Sequence, residues 1–281
     1  MKTKLLLLAT LTALSTTGFA QLIGNTFTNA AIYDVNQSTG AATNPRSTGL
    51  TSQLAGISFQ PGTGDLYGLT TLNGGQPSSL VRINPATGAT NVVGSTGLVV
   101  AEGDLAFNPL NGNLYGIQAI SSNRSFFQIN VATGAATVLG TLPNADFSAL
   151  AFNMAGVLYA IETTTNTLST LNPVNGLILT SVALSSALGS LVGLAFDPAT
   201  GIAYVGDGGS GTNLLYTLNT ITGALTPIGP TGLTDLAGLA FRPSAGNAVP
   251  EGGATLGLLA LSAGALCVAA RRRPAPPPVC G

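Results

Sequence analysis

Six acidic side chains in the middle of this chain have the types and spacing that could perform chemistry. They are Glu102, Asp104, Asp146, Glu162, Asp207 and Asp235. Asp146 and Asp235 stand six residues before a recurring phenylalanine, and Glu162 and Asp207 stand three residues after a recurring tyrosine. Several carboxylates on one surface can bind Ca²⁺, a cationic ligand or a sugar. The alternative is that they solvate loop ends and oppose self-association, and we favour this alternative.

The sequence contains few residues of the types that commonly catalyse reactions. The chain contains no histidine, which excludes a Ser-His-Asp triad, a histidine-bound metal and an imidazole base. Glu162 and Asp207 could still act as the two carboxylates of a polysaccharide hydrolase or lyase. We therefore predict a protein that is not an enzyme, with no catalytic residue and no cofactor, and we keep a polysaccharide-cleaving enzyme as the alternative. Ca²⁺ is the one metal ion that the acids suggest.

The charge distribution argues against nucleic acid as a partner. The chain has nine Lys and Arg residues against ten Asp and Glu residues. Both lysines, Lys2 and Lys4, lie at the N-terminus, and three arginines lie together near the C-terminus, at 271–273. The segment between these ends is acidic and has no basic stripe to meet a phosphate backbone.

An internal repeat predicts the strands that position the acids. A phrase typified by "LVGLAFDPATGIAYV" occurs five times, and its phenylalanines are 48, 45, 44 and 45 residues apart. They are Phe59, Phe107, Phe152, Phe196 and Phe241. A second phrase, typified by "INPATGA", alternates with the first and also occurs five times. Each unit reads as four short strands joined by Asn/Asp, Pro and Gly turns.

Four strands in about 45 residues is the period of a β-propeller blade. The last repeat stops after its first strand, and the opening "QLIGNTFTNAAIYDVNQSTG" matches the later part of a unit. The N-terminal segment can thus supply the missing strands and leave no exposed edge. We predict an all-β, five-bladed β-propeller over residues 21–248. In such a ring, the acids outside the turns fall on one face and the glycine turns on the other.

The two ends of the chain carry signals for export. Residues 1–20 have a basic start, an apolar core and small residues before a cleavage position after Ala20, which predicts a signal peptide with a helical core. Residues 254–270 contain 17 uncharged residues, the lower limit for a membrane-spanning helix. The arginines at 271–273 would keep the following residues in the cytoplasm. We predict a sorting and membrane-anchor tail over 249–281.

Two resemblances extend these predictions. The repeated blades resemble bacterial surface propellers with YVTN or quinoprotein-like blades, which implies a fold and no particular ligand. The tail, "VPEGG" followed by an apolar stretch and "RRR", resembles the PEP-CTERM class of sorting signals, especially its Val-Pro-Asp variants. That class is read by exosortase, a membrane-embedded cysteine transpeptidase of Gram-negative bacteria that make extracellular polysaccharide. The resemblance implies recognition residues at Val249, Pro250, Glu251, Gly252, Gly253, Arg271, Arg272 and Arg273.

The resemblance also implies partners and a location. The partners would be an exosortase-like enzyme, the membrane through the C-terminal helix, and an extracellular polysaccharide or surface protein. The protein would pass through the inner membrane and end at the cell surface, the outer membrane or the extracellular matrix. The sequence departs from the class where Gly252 follows Glu251, and where "PAPPPVCG" continues beyond the arginines.

Overall fold

The protein folds into five four-stranded antiparallel sheets. The computed structural model describes residues 20–243 except for 72–75, 121–122 and 143–145. The predicted helices of the signal peptide and of the C-terminal tail lie outside the described residues. Within the described part the secondary structure is β-strand without α-helix, and no helix there could cross a membrane.

Each sheet has an inner, a second, a third and an outer strand. The inner strands are β4 (Leu54–Phe59), β8 (Gly103–Phe107), β12 (Phe147–Phe152), β16 (Leu191–Phe196) and β20 (Leu236–Arg242). The second strands are β1 (Gln21–Thr26), β5 (Leu66–Thr70), β9 (Leu114–Ile120), β13 (Leu158–Glu162) and β17 (Ala203–Gly208). The third strands are β2 (Ala31–Val35), β6 (Ser79–Ile83), β10 (Asn123–Ile129), β14 (Thr167–Leu171) and β18 (Leu214–Leu218). The outer strands are β3 (Ala42–Ser47), β7 (Thr90–Ser95), β11 (Ala136–Thr141), β15 (Ile178–Ala183) and β19 (Leu225–Pro230).

The inner strands surround a common axis, which confirms the predicted five-bladed propeller. Contacts run from β4 to β8, β12, β16, β20 and back to β4. Inner strands are almost wholly buried, whereas outer strands such as β3 and β15 are mostly exposed. This gradient explains why the repeated "LAF" phrase is apolar, whereas the last strand of each unit mixes polar and apolar residues.

The ring closes as the sequence predicted. The N-terminal strand β1 pairs antiparallel with β20, from Gln21 opposite Arg242 to Thr26 opposite Leu236. Strands from the two ends of the described chain therefore form one sheet in the order β20, β1, β2, β3. Asp235 adds two bonds beside this pairing, because its carboxylate accepts from the amide of Thr28 and its carbonyl accepts from the amide of Phe27, both at 2.9 Å.

The apolar core is divided into five layers, one between each pair of neighbouring blades. In four of these layers, the recurring tyrosine of one blade packs against the recurring phenylalanine of the next. The ring centroids lie 5.1–5.6 Å apart in the pairs Tyr67–Phe107, Tyr115–Phe152, Tyr159–Phe196 and Tyr204–Phe241. In the fifth layer, Ile23 and Phe59 belong to the same cluster. The tyrosines recur because each joins two blades.

The asparagine turns between third and outer strands repeat one hydrogen-bond pattern. The Oδ1 atom of Asn84 accepts from the amides two and three residues on, and its carbonyl accepts from Gly88 at 2.8 Å. Gly88 has a φ of 81°, which glycine adopts without steric cost. Asn36, Asn130 and Asn219 make the same bonds. These turns depend on backbone bonding, as their sequence predicted.

The inner strands approach one another closely three residues before each recurring phenylalanine. The residues at this position are Gly56, Asp104, Ala149, Gly193 and Gly238, and we call them the axial ring. A Cβ atom added to Gly193 would lie 2.7 Å from the carbonyl carbon of Gly238 in the next blade. Since backbone atoms cannot swing aside as a side chain does, the close approach leaves no room for a Cβ atom at Gly193.

Substitution of Gly193 by alanine tests this constraint. The added methyl group would force two inner strands apart, and overpacking of this kind costs about 1–3 kcal/mol. We expect the Gly193→Ala variant to unfold at lower urea concentration than the parent protein. Ser38→Ala, in an exposed turn, is the control and should leave the midpoint unchanged. Equal midpoints for Gly193→Ala and Ser38→Ala would contradict the close approach.

Candidate functional site

The ring has two faces, which differ in the strands that their connections join. We call one the loop face, where outer strands lead to the next inner strand and second strands lead to third strands. We call the other the turn face, where inner strands lead to second strands and third strands lead to outer strands. The cross-strand pairs Phe147 with Glu162 and Val192 with Asp207 place the ends of second strands beside the starts of inner strands. The predicted acids thus belong to the loop half of the ring.

Three of these acids lie at the surface of the loop face and hold its connections in place. Asp146 is exposed and accepts from the hydroxyl of Thr164 at 3.1 Å. Asp235 is half-buried and binds Thr28, as described above. Glu102 is half-buried and accepts from the hydroxyl of Ser148 at 3.2 Å. Burial raises the pKa of the Glu102 carboxyl, the Ser148 bond opposes the shift, and the charge of Asp146 adds to it.

Glu162 and Asp207 lie in the same half but are buried, with 7% and 0% of their surfaces exposed. The Glu162 carboxylate accepts from the amide of Thr165 at 3.2 Å. The Asp207 carboxylate accepts from the amides of Gly189 and Thr212 at 2.7 and 2.5 Å, and from the Thr212 hydroxyl at 2.7 Å. Each carboxylate therefore accepts its hydrogen bonds from its own blade or from the connection that leads to that blade. A reacting pair would have to give up these bonds.

Asp104 differs from the other five because it does not reach the loop surface. It is 1% exposed and occupies the axial ring, where three other blades have glycine and one has alanine. Its Oδ2 accepts from the amide of Leu150 in the next blade at 2.9 Å, and its Oδ1 accepts from the amide of Leu105 at 2.8 Å. Burial raises the pKa of the Asp104 carboxyl well above its usual value of 3.8, and these two amide bonds oppose the shift.

No three acidic, cysteine or histidine side chains gather closely enough to hold a metal ion in the described part of the chain. The acids of the loop half are spread over several blades and satisfy separate donors. The Ca²⁺ hypothesis therefore gains no ligand set from these residues.

A pocket on the turn face was not expected from the sequence. It lies on the axis, has a volume of about 260 Å³, and is lined by all five blades. Its walls repeat one phrase, a phenylalanine followed two residues later by a proline or methionine. The wall residues are Phe59 with Pro61, Phe107 with Pro109, Phe152 with Met154, Phe196 with Pro198, and Phe241 with Pro243.

The axial pocket has the chemistry of a binding site for an apolar group. Ser58 is the only polar side chain among its lining residues, and its hydroxyl accepts from the amide of Phe107 at 3.1 Å. Leu105 and Leu150 line the pocket, and their amides bind Asp104 in the axial ring. The Asp104 carboxylate thus fixes two lining strands from beneath while staying outside the pocket. The repeated Phe-X-Pro phrase was the sequence signal that could have revealed the pocket.

The buried carboxyl of Asp104 predicts a specific pH dependence of stability. Because its folded pKa is raised, the native state binds more protons than the unfolded state above pH 3.8, and stability falls as pH rises through the folded pKa. The Asp104→Asn variant lacks this titration and retains Glu102, whose raised pKa acts in the same direction. We expect urea unfolding of both proteins from about pH 4 to 8 to show that the free energy of unfolding of the parent falls relative to that of Asp104→Asn as pH rises. A difference in the free energy of unfolding that is constant, or that grows with pH, would contradict a raised pKa of the buried Asp104 carboxyl.

Solved structures of other proteins share this fold at low sequence identity. A chain from "Crystal structure of Nidogen/Laminin Complex" is 14% identical with a TM-score of 0.55, and the match covers 80% of this chain and 99% of that one. A protein of unknown function from Bacteroides thetaiotaomicron VPI-5482 is 14% identical with a TM-score of 0.54, covering 82% and 66%. A protein of unknown function from Bacteroides caccae is 11% identical with a TM-score of 0.54, covering 80% and 100%. These similarities support the fold alone.

The sequence comparisons give the family. No curated protein matches the chain significantly. Residues 45–240, from the outer strand of the closing blade to the last inner strand, match the family described as "Domain of unknown function (DUF4394)". This segment is more than half of the 281 residues. The chain therefore belongs to the DUF4394 family.

Proposed function

We propose that this protein is an exported, non-catalytic propeller that binds a partner or builds a surface structure, and that its C-terminal tail delivers it to the cell surface or extracellular matrix. The non-catalytic part of the proposal is supported by one observation: carboxylates of the loop half are already hydrogen-bonded to the backbone. Asp104, Glu162 and Asp207 are buried and accept hydrogen bonds from backbone amides. A carboxylate that already orders a connection is poorly placed to act as nucleophile or general acid.

The binding part of the proposal is supported by the axial pocket. Its walls are apolar, and none of its lining side chains titrates. Ligand sites are commonly concave and mainly apolar, with few polar groups. One of the structural neighbours comes from a crystal structure of a nidogen/laminin complex. This propeller architecture is therefore compatible with protein binding.

The delivery part of the proposal is supported by the two ends of the chain. Residues 1–20 would direct export, and residues 254–270 would hold the protein transiently in the inner membrane. An exosortase-like enzyme would read Val249 to Gly253, with the arginines at 271–273 on the cytoplasmic side. The released propeller would then meet an extracellular polysaccharide or a surface protein.

The intact mass of the protein from its native host tests this delivery. We expect a species that begins at Gln21 and ends between Val249 and Gly253, with or without an added group, in the surface or matrix fraction. The Pro250→Ala variant should accumulate with its tail, because it alters the recognition sequence. Pro274→Ala, which lies beyond the arginines, is the matched control and should be processed normally. Parent protein that keeps Arg271 to Arg273 in the membrane fraction would contradict sorting by the tail.

A further inference from the structure

The exposed apolar side chains of the described residues are concentrated at the turn face. Of twelve large apolar side chains that are well exposed, seven lie in connections of this face. The seven are Leu110, Met154, Val157, Val174, Leu177, Ile202 and Ile221. The loop face has one such residue in its described connections, Val99, and the other four lie on outer strands. From this asymmetry we infer that the turn face is a docking surface for a lipid membrane.

The turns themselves do not require apolar residues. At the third position of the asparagine turns, the first three units have Ser38, Ala86 and Ala132, whereas the last two have Val174 and Ile221. Val174 and Ile221 are 73% and 86% exposed. All five turns receive their hydrogen bonds from backbone amides, so serine or alanine would serve equally well. Large apolar side chains at exposed tips are typical of a surface that meets another apolar phase.

The charges of the described residues favour the same orientation. By position along the strands, the loop half has the six acids that the sequence singled out and two arginines, Arg46 and Arg124. The turn half has three acids, Asp34, Asp65 and Asp197, and two arginines, Arg82 and Arg242. Asp34 pairs with Arg46 and Asp65 pairs with Arg82, so the turn half is the less acidic of the two. Anionic lipid headgroups would repel the loop face and leave the turn face free to approach.

The chain enters and leaves the ring at the turn face. Because Gln21 pairs with Arg242, Ala20 and Pro243 leave the ring at the same end, and Pro243 lines the axial pocket. Ten residues, 244–253, separate Pro243 from the apolar stretch at 254–270. Even fully extended, this linker spans no more than about 35 Å. The inference thus rests on the proposed insertion of the tail, which would hold the turn face near the lipid surface.

Docking would bury the apolar tips in the boundary between headgroups and acyl chains. Leu110 lies against the neighbouring blade, since a Cβ atom on Gly156 would come within 2.5 Å of its Cδ1 atom. The tips of the third and fourth blades along the chain are therefore in contact. The apolar axial pocket opens at the same face. The surface in contact with lipid would combine this pocket with the exposed turns.

Site-specific quenching in vesicles tests the inference on the full chain. Cys267 and Cys280 are replaced by serine, and a single cysteine is introduced as Ile221→Cys or Val174→Cys and labelled with an environment-sensitive fluorophore. Val99→Cys on the loop face and Val92→Cys on an outer strand are the matched controls, since both side chains are exposed. The proteins are reconstituted into phosphatidylethanolamine and phosphatidylglycerol vesicles that contain a nitroxide-labelled lipid. We expect most of the fluorescence at Ile221 and Val174 to be lost, and none at Val99 or Val92.

The possible outcomes separate this inference from the proposed function. If the full chain floats with the vesicles but Ile221 and Val174 are not quenched, membrane docking of the turn face is wrong while insertion of the tail stands. If the chain does not float with the vesicles, both are wrong. A fluorescence shift at Ile221 that depends on protein concentration, without quenching by the lipid, would assign the face to contact between copies of the chain and would overturn the inference.

Discussion

The antiparallel pairing of β1 with β20 joins strands from the two ends of the described chain into one blade, and the other features of the protein depend on it. Without this pairing, two strand edges would present unpaired amides and carbonyls to other chains. The clusters that join the closing blade to its two neighbours draw residues from both strands, including Leu22 and Phe241 on one side and Ile23 and Ala240 on the other. Opening the ring would therefore disrupt two of the five core layers and one wall of the axial pocket.

Closure of five blades also sets the width of the axis and divides the molecule into two halves. At the axial ring the strands approach so closely that a methyl group on Gly193 would meet backbone atoms. Asp104 fits there because its carboxylate accepts amides from two blades. Above and below this ring the halves differ: the loop half carries buried, hydrogen-bonded acids, and the turn half carries an apolar pocket and exposed apolar tips. The proposed orientation on a membrane follows from that difference.

The sequence predicted the blades, their strand order and the closure because the residues responsible recur once per unit. Phe107 and Tyr67, for example, repeat because four pairs of neighbouring blades are joined in the same way. Residues that break the repeat were harder to interpret. In the sequence, Asp104 looks like a surface acid beside Glu102. Only the alignment of the inner strands shows that it takes the place of the glycine found at 56, 193 and 238. The half of the ring containing Glu162 and Asp207 was predicted. Their buried carboxylates accept hydrogen bonds from Thr165 and Thr212, which no repeat marks.

Amide hydrogen exchange of the full chain, read by mass spectrometry, tests ring closure most directly. If β1 and β20 form one blade, their amides are hydrogen-bonded to each other and should be as protected as those of the inner strands β12 and β16. The account predicts that protection of β1 and β20 is lost together, in the same cooperative transition as the rest of the ring. Rapid exchange throughout β1 and β2, while β4 to β19 remain protected, would show an open ring and contradict the account.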